Sequence, residues 1–302
     1  MPRVIDLECN LPPGVDIPEY HDAIQGRPGN PVADRLPRPE GYGFDNYNRI
    51  FKSRAKRATP MAEDGGARLV GELVADMDRA GIEIGILGGA SNPTLARVAK
   101  MHPKRFISLV AMSPLDGMRG VREFERLVRE EGVGGMRVVA LYNMIPASDK
   151  RYYPLYAKCV ELDVPVRVYT SMNYANDRPY DLGHPRHLDE VCIDFPELRV
   201  VAGLAGWPWT ADMVGLMRRH PNLYCDTAAH RPRHFATEGS GWEQFLQFGN
   251  TLLQDKVMVG LSRGIFNVPF EELIGEYQEL PLKDQVKEKW LYKNAANFFR
   301  LG

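Results

Sequence analysis

Cysteine is scarce in this chain: Cys9, Cys159, Cys192 and Cys225 are the four among 302 residues, and no two make a CxxC pair. Such spacing argues against a disulfide framework and for reduced thiols in a cytoplasmic protein. An excess of either charge is missing as well. With 38 Lys and Arg against 39 Asp and Glu the formal charge is -1, so no global field exists to hold nucleic acid or an anionic membrane, and any anion site must be local. Nor is there a long apolar run. Nothing approaches the ~18 uninterrupted apolar residues of a spanning helix, and the start, Met1-Pro2-Arg3-Val4-Ile5-Asp6, lacks the apolar region of a signal peptide. Cytoplasm and no membrane contact are expected. No Gly-rich phosphate loop is present, which sets nucleotide turnover aside.

What the sequence does have is alternation. Eight short runs rich in Val and Ile are each followed by a stretch with helical periodicity, the pattern of parallel βα units. They are Arg3–Leu7, Ile82–Leu87, Phe106–Ala111, Gly135–Val139, Pro165–Tyr169, Arg199–Gly203, Asn222–Asp226 and Lys256–Gly260. Leu69–Ala80 and Val121–Glu131 carry apolar residues on one helical face and stop at Gly81 and Gly132, where a left-handed terminus is wanted. Eight such units predict one α/β domain over 1–302, a closed (β/α)8 TIM barrel with its chemistry on loops at the carboxyl ends of the strands. Residues 11–68, rich in Pro and Gly, form a long excursion over that face or a lid. Phe270–Tyr277 and Lys283–Arg300 read as closing helices.

Several motifs fall at matching places along this frame: Val4-Ile5-Asp6, Tyr153-Pro154-Leu155-Tyr156, Gly183-His184-Pro185-Arg186-His187, Gly206-Trp207-Pro208-Trp209, His220-Pro221-Asn222 and Asn294-Ala295-Ala296. With them the chain resembles the amidohydrolase-related family of (β/α)8 enzymes, which includes aminocarboxymuconate-semialdehyde decarboxylase and the γ-resorcylate type of aromatic decarboxylases. The resemblance implies a zinc or similar ion held by imidazoles and carboxylates, which activates a bound water.

The positions where the family usually keeps its metal ligands carry other residues, although the resemblance implies a ligand role for Glu8, since some decarboxylases of the family place a glutamate there. The HxH after the first strand is Glu8-Cys9-Asn10, and the histidine ending the fifth strand is Tyr169. The histidine of the sixth is Leu204, and the aspartate of the eighth is Ser262, followed by Arg263. Leucine cannot ligate, and serine or tyrosine binds zinc poorly. No metal is therefore expected at the family positions and no other cofactor is implied. The fallback is a relocated divalent site, zinc for instance, of His₂Glu type from Glu8, His230 and His234.

The remaining candidates concern substrate. Trp207 and Trp209 flank Pro208 beyond the sixth strand, where rings can wall an aromatic pocket. Lys52, Arg54, Lys56 and Arg57 place four cations within six residues of the long excursion, a local clamp suited to the phosphates of a coenzyme A thioester. His184 and His187 open the fifth helix and read as structural. In its replaced metal positions, aromatic rim and basic run the chain looks like the family's 4-hydroxyphenyl-β-ketoacyl-CoA hydrolase group. That resemblance implies hydrolytic C–C cleavage of an aryl β-ketoacyl-CoA, in aromatic catabolism, to an aromatic acid and acetyl-CoA. Glu8 or His230 would be the base, and Tyr169, Asn10 and Arg263 the donors, with Ser262 and His234 beside them. Decarboxylation of a hydroxylated aromatic acid is the alternative, and a non-catalytic ligand-binding barrel the third reading. A homo-oligomer is expected.

Overall fold

The computed structural model describes residues 2–16, 41–43, 45–50 and 60–301. Each of the eight apolar runs becomes a strand: β1 Val4–Cys9, β2 Ile82–Leu87, β3 Phe106–Ala111, β4 Gly135–Val138, β5 Val166–Tyr169, β6 Val200–Gly203, β7 Leu223–Asp226 and β8 Val257–Met258. Consecutive strands pair in parallel in the order β1 to β8. The last wall meets the first where the Leu7 N–H donates to the Val259 carbonyl at 2.9 Å. This is the expected (β/α)8 barrel.

The crossover helices are α1 Ala67–Ala80, α2 Asn92–Met101, α3 Gly117–Glu131, α4 Tyr153–Glu161, α5 His187–Asp194, α6 Thr210–Arg219, α7 Glu243–Gly249 and α8 Phe270–Gln278. In α3, the i, i+3, i+6 residues Val121, Phe124 and Leu127 are buried, and Gly132 ends the helix at φ 70° with its N–H bonded to the Leu127 carbonyl. Removing a large apolar side chain such as that of Phe124 from water contributes roughly 1.5–3 kcal/mol. A Cβ at Gly132 would touch nothing within 4 Å, so glycine is required there by its left-handed backbone alone. The expected closing helix Lys283–Arg300 is three successive pieces, Asp284–Glu288, a wider turn over Lys289–Lys293, and Asn294–Phe298. It brings Phe298 against the apolar barrel interior of Ile5, Leu7, Ile86, Leu109, Val201 and Met258. All four cysteines are free and buried. Among the described residues no helix is long and apolar enough to cross a membrane.

Of the excursion over 11–68, the short helix Asp45–Ile50 is described, and it docks beyond the carboxyl end of β5. Asn46 Nδ2 donates to the Tyr174 carbonyl at 2.6 Å, and the Gly43 N–H donates to Asn176 Oδ1 at 2.8 Å. The basic run Lys52, Arg54, Lys56 and Arg57 lies outside the described residues.

Candidate functional site

Side chains alternate across a strand. Met136 and Val138, and likewise Val166 and Val168, pack into the large cluster shared with the helices, so Arg137 and Arg167 between them face the barrel interior. Glu8 meets both. Strand β1 runs two residues further than the sequence suggests, to Cys9, and this makes Glu8 part of the barrel wall rather than of the loop beyond it.

The four charges form a chain. Arg167 donates from Nε to Asp226 Oδ2 at 2.6 Å and from Nη2 to Asp226 Oδ1 at 3.1 Å. Its Nη1 forms an ion pair with Glu8 Oε2 at 2.6 Å, and Arg137 Nη2 donates to Glu8 Oε1 at 3.1 Å. Asp226 Oδ1 also accepts the backbone N–H groups of Leu204 at 3.1 Å and Ala228 at 3.0 Å. Gly203 leaves the room, because a Cβ there would lie 3.0 Å from the Arg167 guanidinium carbon.

Burial by itself would push the Glu8 carboxyl upwards. The guanidiniums of Arg137 and Arg167 outweigh it, with help from an Asn10 side-chain hydrogen bond, and hold Glu8 below the usual carboxylate range. Burial likewise works against the charge on Arg167, and Asp226 and Glu8 outweigh it. Asp6 differs. It is wholly buried, and burial pushes its carboxyl up to about 7 despite backbone hydrogen bonds from Leu261 and Glu8. These reach Asp6 Oδ1 at 2.7 Å from Leu261 and 3.0 Å from Glu8, while Oδ2 has no partner.

Glu8 and Asn10 are thus brought together, and the other expected site residues are placed as follows. The Tyr169 hydroxyl donates to the Met172 carbonyl at 2.9 Å and lies 3.3 Å from the Tyr47 hydroxyl; burial and Tyr47 raise its pKa. The ring of His230 lies 5.5 Å from that of Trp207 and 5.2 Å from that of Trp242. Its Nε2 is shielded and without a partner, and burial lowers its pKa to about 4. His234 is exposed and accepts from Arg233. Ser262 is buried, with its hydroxyl accepting the Ala229 N–H at 2.8 Å. Arg263 turns away from the interior: its Nη1 pairs with Asp76 of α1 at 2.6 Å. Trp209 stands apart from Trp207, 4.3 Å from the His184 ring and 5.1 Å from that of Tyr180.

Asp6, Arg137, Arg167, Asp226 and Trp242 were not among the expected site residues. The available signal for the first four was a charged residue inside an apolar strand run, since such residues are almost never fully buried unless paired.

A family model described as Amidohydrolase matches residues 37–301. The chain belongs to the amidohydrolase family. Membership makes it an enzyme of the hydrolase or lyase class. An uncharacterized TIM-barrel protein from Bordetella bronchiseptica has 24% identity and a TM-score of 0.69, over 99% of this chain and 98% of that one. The 5-carboxyvanillate decarboxylase of Sphingomonas paucimobilis has 16% identity and a TM-score of 0.68, over 100% of both chains. A curated relative, the 2-keto-4-carboxy-3-hexenedioate hydratase of a Sphingobium species, is 33% identical over 90 residues, 27% of this chain. The match spans about a quarter, 26%, of that relative's length.

The metal expected of an amidohydrolase does not fit these residues. Of the three buried carboxyls here, Glu8 and Asp226 are engaged by guanidiniums, which cannot be deprotonated and would repel a divalent ion, and Asp6 accepts the Leu261 and Glu8 N–H groups through Oδ1. The relocated trio is not assembled either: Glu8 is ion-paired, His230 lies between two tryptophans and His234 faces solvent. Among the described residues no three His, Cys, Asp or Glu are arranged to hold an ion.

Proposed function

We propose that this amidohydrolase cleaves a carbon–carbon bond beside an aromatic ring by hydrolysis, converting an aryl β-ketoacyl-CoA and water into an aromatic acid and acetyl-CoA. The observation that carries this reading is the ionised Glu8 between Arg137 and Arg167. A carboxylate held below its usual range rests ionised and can accept a proton. Glu8 takes a proton from water as the oxygen adds to the aryl ketone. The bond to the methylene carbon then breaks, its electron pair delocalises into the thioester as an enolate, and the proton held by Glu8 is returned to that carbon. The phosphates of the thioester would lie against Lys52, Arg54, Lys56 and Arg57, and Trp207 and His230 would wall the ring.

A second reading, decarboxylation of a hydroxylated aromatic acid, is favoured by the interior guanidiniums, which suit a carboxylate, and by the fold shared with 5-carboxyvanillate decarboxylase. Incubation of purified protein in ¹⁸O-water with aryl β-ketoacyl-CoA thioesters and with hydroxybenzoic acids separates the two. Labelled aromatic acid with acetyl-CoA supports hydrolysis, and carbon dioxide with a phenol supports decarboxylation. No product from either set would overturn both.

A further inference from the structure

Hydrolysis of an aryl ketone needs a donor for the oxyanion that forms as water adds. The expected donors are less well placed: the single donor of Tyr169 goes to Met172, Asn10 bonds to Glu8, and Arg263 pairs with Asp76 of α1, away from the interior. Arg137 is not spent. Its fork carries five N–H donors, and among the described residues its hydrogen bond to Glu8 is the one it makes; its Nε is shielded without any partner. A shielded guanidinium nitrogen left unpaired is costly in a folded protein and calls for an absent partner. Arg167 Nη1 also lacks a hydrogen-bond partner, but it lies 2.6 Å from Glu8 Oε2 in an ion pair, and its Nε and Nη2 donate to Asp226.

Exposure points the same way. The Arg137 side chain keeps 12% of its surface accessible, against 8% for Glu8 and 2% for Arg167, so it is the cation of the group that incoming solute meets. Its position is built. A Cβ on Gly88 would collide with Arg137 Nη1 and its Cδ, and the absence of that carbon leaves the guanidinium its place at the end of β2. Glu8 and Asp226 pair with the two arginines, and the N–H groups of Arg137 not bonded to Glu8 remain for a further acceptor.

We propose that Arg137 is the anion seat of the site, binding the planar oxygens of an aromatic carboxylate and the oxyanion formed from the ketone before it. This rests on the hydrolytic reading for the oxyanion, while the carboxylate seat stands on the geometry. Parallel N–H donors of a guanidinium match two carboxylate oxygens, a match that lysine cannot reproduce.

Calorimetric titration with benzoate tests it without turnover. Wild type should bind benzoate, and Arg137→Met should weaken binding by about tenfold or more, the effect of losing a charge-assisted hydrogen bond. Arg137→Lys should recover only part of the loss. Gly88→Ala keeps the charge and displaces the guanidinium, so it should weaken benzoate as well; it carries the test if the Met variant does not fold. Equal binding by wild type and both Arg137 variants, or no binding by wild type, would overturn the seat. Turnover of a thioester that persists unchanged in Arg137→Met sinks the seat and leaves the hydrolytic reading. Benzoate binding that depends on Arg137, with no thioester cleaved, does the reverse.

Discussion

Glu8 and Arg167 meet at 2.6 Å from strands β1 and β5, which stand on opposite walls of an eight-stranded ring. Their ion pair therefore bridges the barrel interior, and with Arg137 and Asp226 it fills the mouth with charge that is already balanced.

The first expectation is elemental. Protein purified without added metal should hold well under one equivalent of zinc, manganese or iron, and prolonged chelation should leave its melting temperature unchanged. One tightly held ion that disappears in Glu8→Gln would show that the carboxylate leaves its arginines for a metal.

Arg167→Met should destabilise the fold strongly, because it leaves Asp226 and Glu8 buried with a cation missing; breaking such a pair from one side costs about 3–5 kcal/mol. Arg167→Lys restores a charge and not the paired bonds from Nε and Nη2, so it should recover only part. Urea unfolding measures both. A Met variant within about 0.5 kcal/mol of wild type, the range of an inert surface change, would deny the bridge any structural role.

Asp6 gives a pH dependence of known sign. Its pKa rises from 3.8 to about 7 on folding, chiefly by burial and then against the Glu8 and Asp226 carboxylates, with Arg167 the facing cation. The folded chain thus holds a proton that the unfolded chain releases, and the stability from this group is full below about pH 4 and lost as pH rises through about 7. Asp6→Asn keeps an oxygen for the Leu261 and Glu8 N–H groups and removes the titration. Its melting temperature relative to wild type should climb between pH 5 and 8; a constant difference would place the Asp6 pKa near its ordinary value.

The basic run yields a kinetic expectation. Replacing Lys52, Arg54, Lys56 and Arg57 together by Ala should raise KM for a thioester and leave benzoate affinity unaltered. Added salt should weaken thioester binding by wild type more than by the variant, because screening acts on exposed charges. An unchanged KM would make the run an ordinary solvated loop.

The barrel was legible because parallel strands buried on both faces read as apolar runs; Ile82–Leu87 and Phe106–Ala111 match to the residue. Glu8 was legible as a candidate but not as a strand residue, since a charge at the end of an apolar run looks like a loop. Arg137, Arg167 and Asp226 were hidden for a different reason. Each sits inside a strand run, and what makes them a site is a contact between walls 129 and 59 positions apart in sequence, which no local pattern encodes. Arg263 shows the converse: sequence places it one residue past the eighth-strand position, and only the left-handed backbone at Ser262, φ 51°, turns it outwards to Asp76.

Gly203 and Arg167 occupy the same small volume, one by lacking a Cβ and the other by filling the space. A Cβ at position 203 would need the guanidinium to give way by a few tenths of an ångström. In chains descended from a common ancestor with this one, a side chain at the glycine should appear only where the arginine has been replaced by something shorter, and Asp226, left without its cation, should be exchanged in the same lineages. A salt-bridged interior of this kind is hard to dismantle one substitution at a time, because removing one member of a pair leaves a buried charge without its partner.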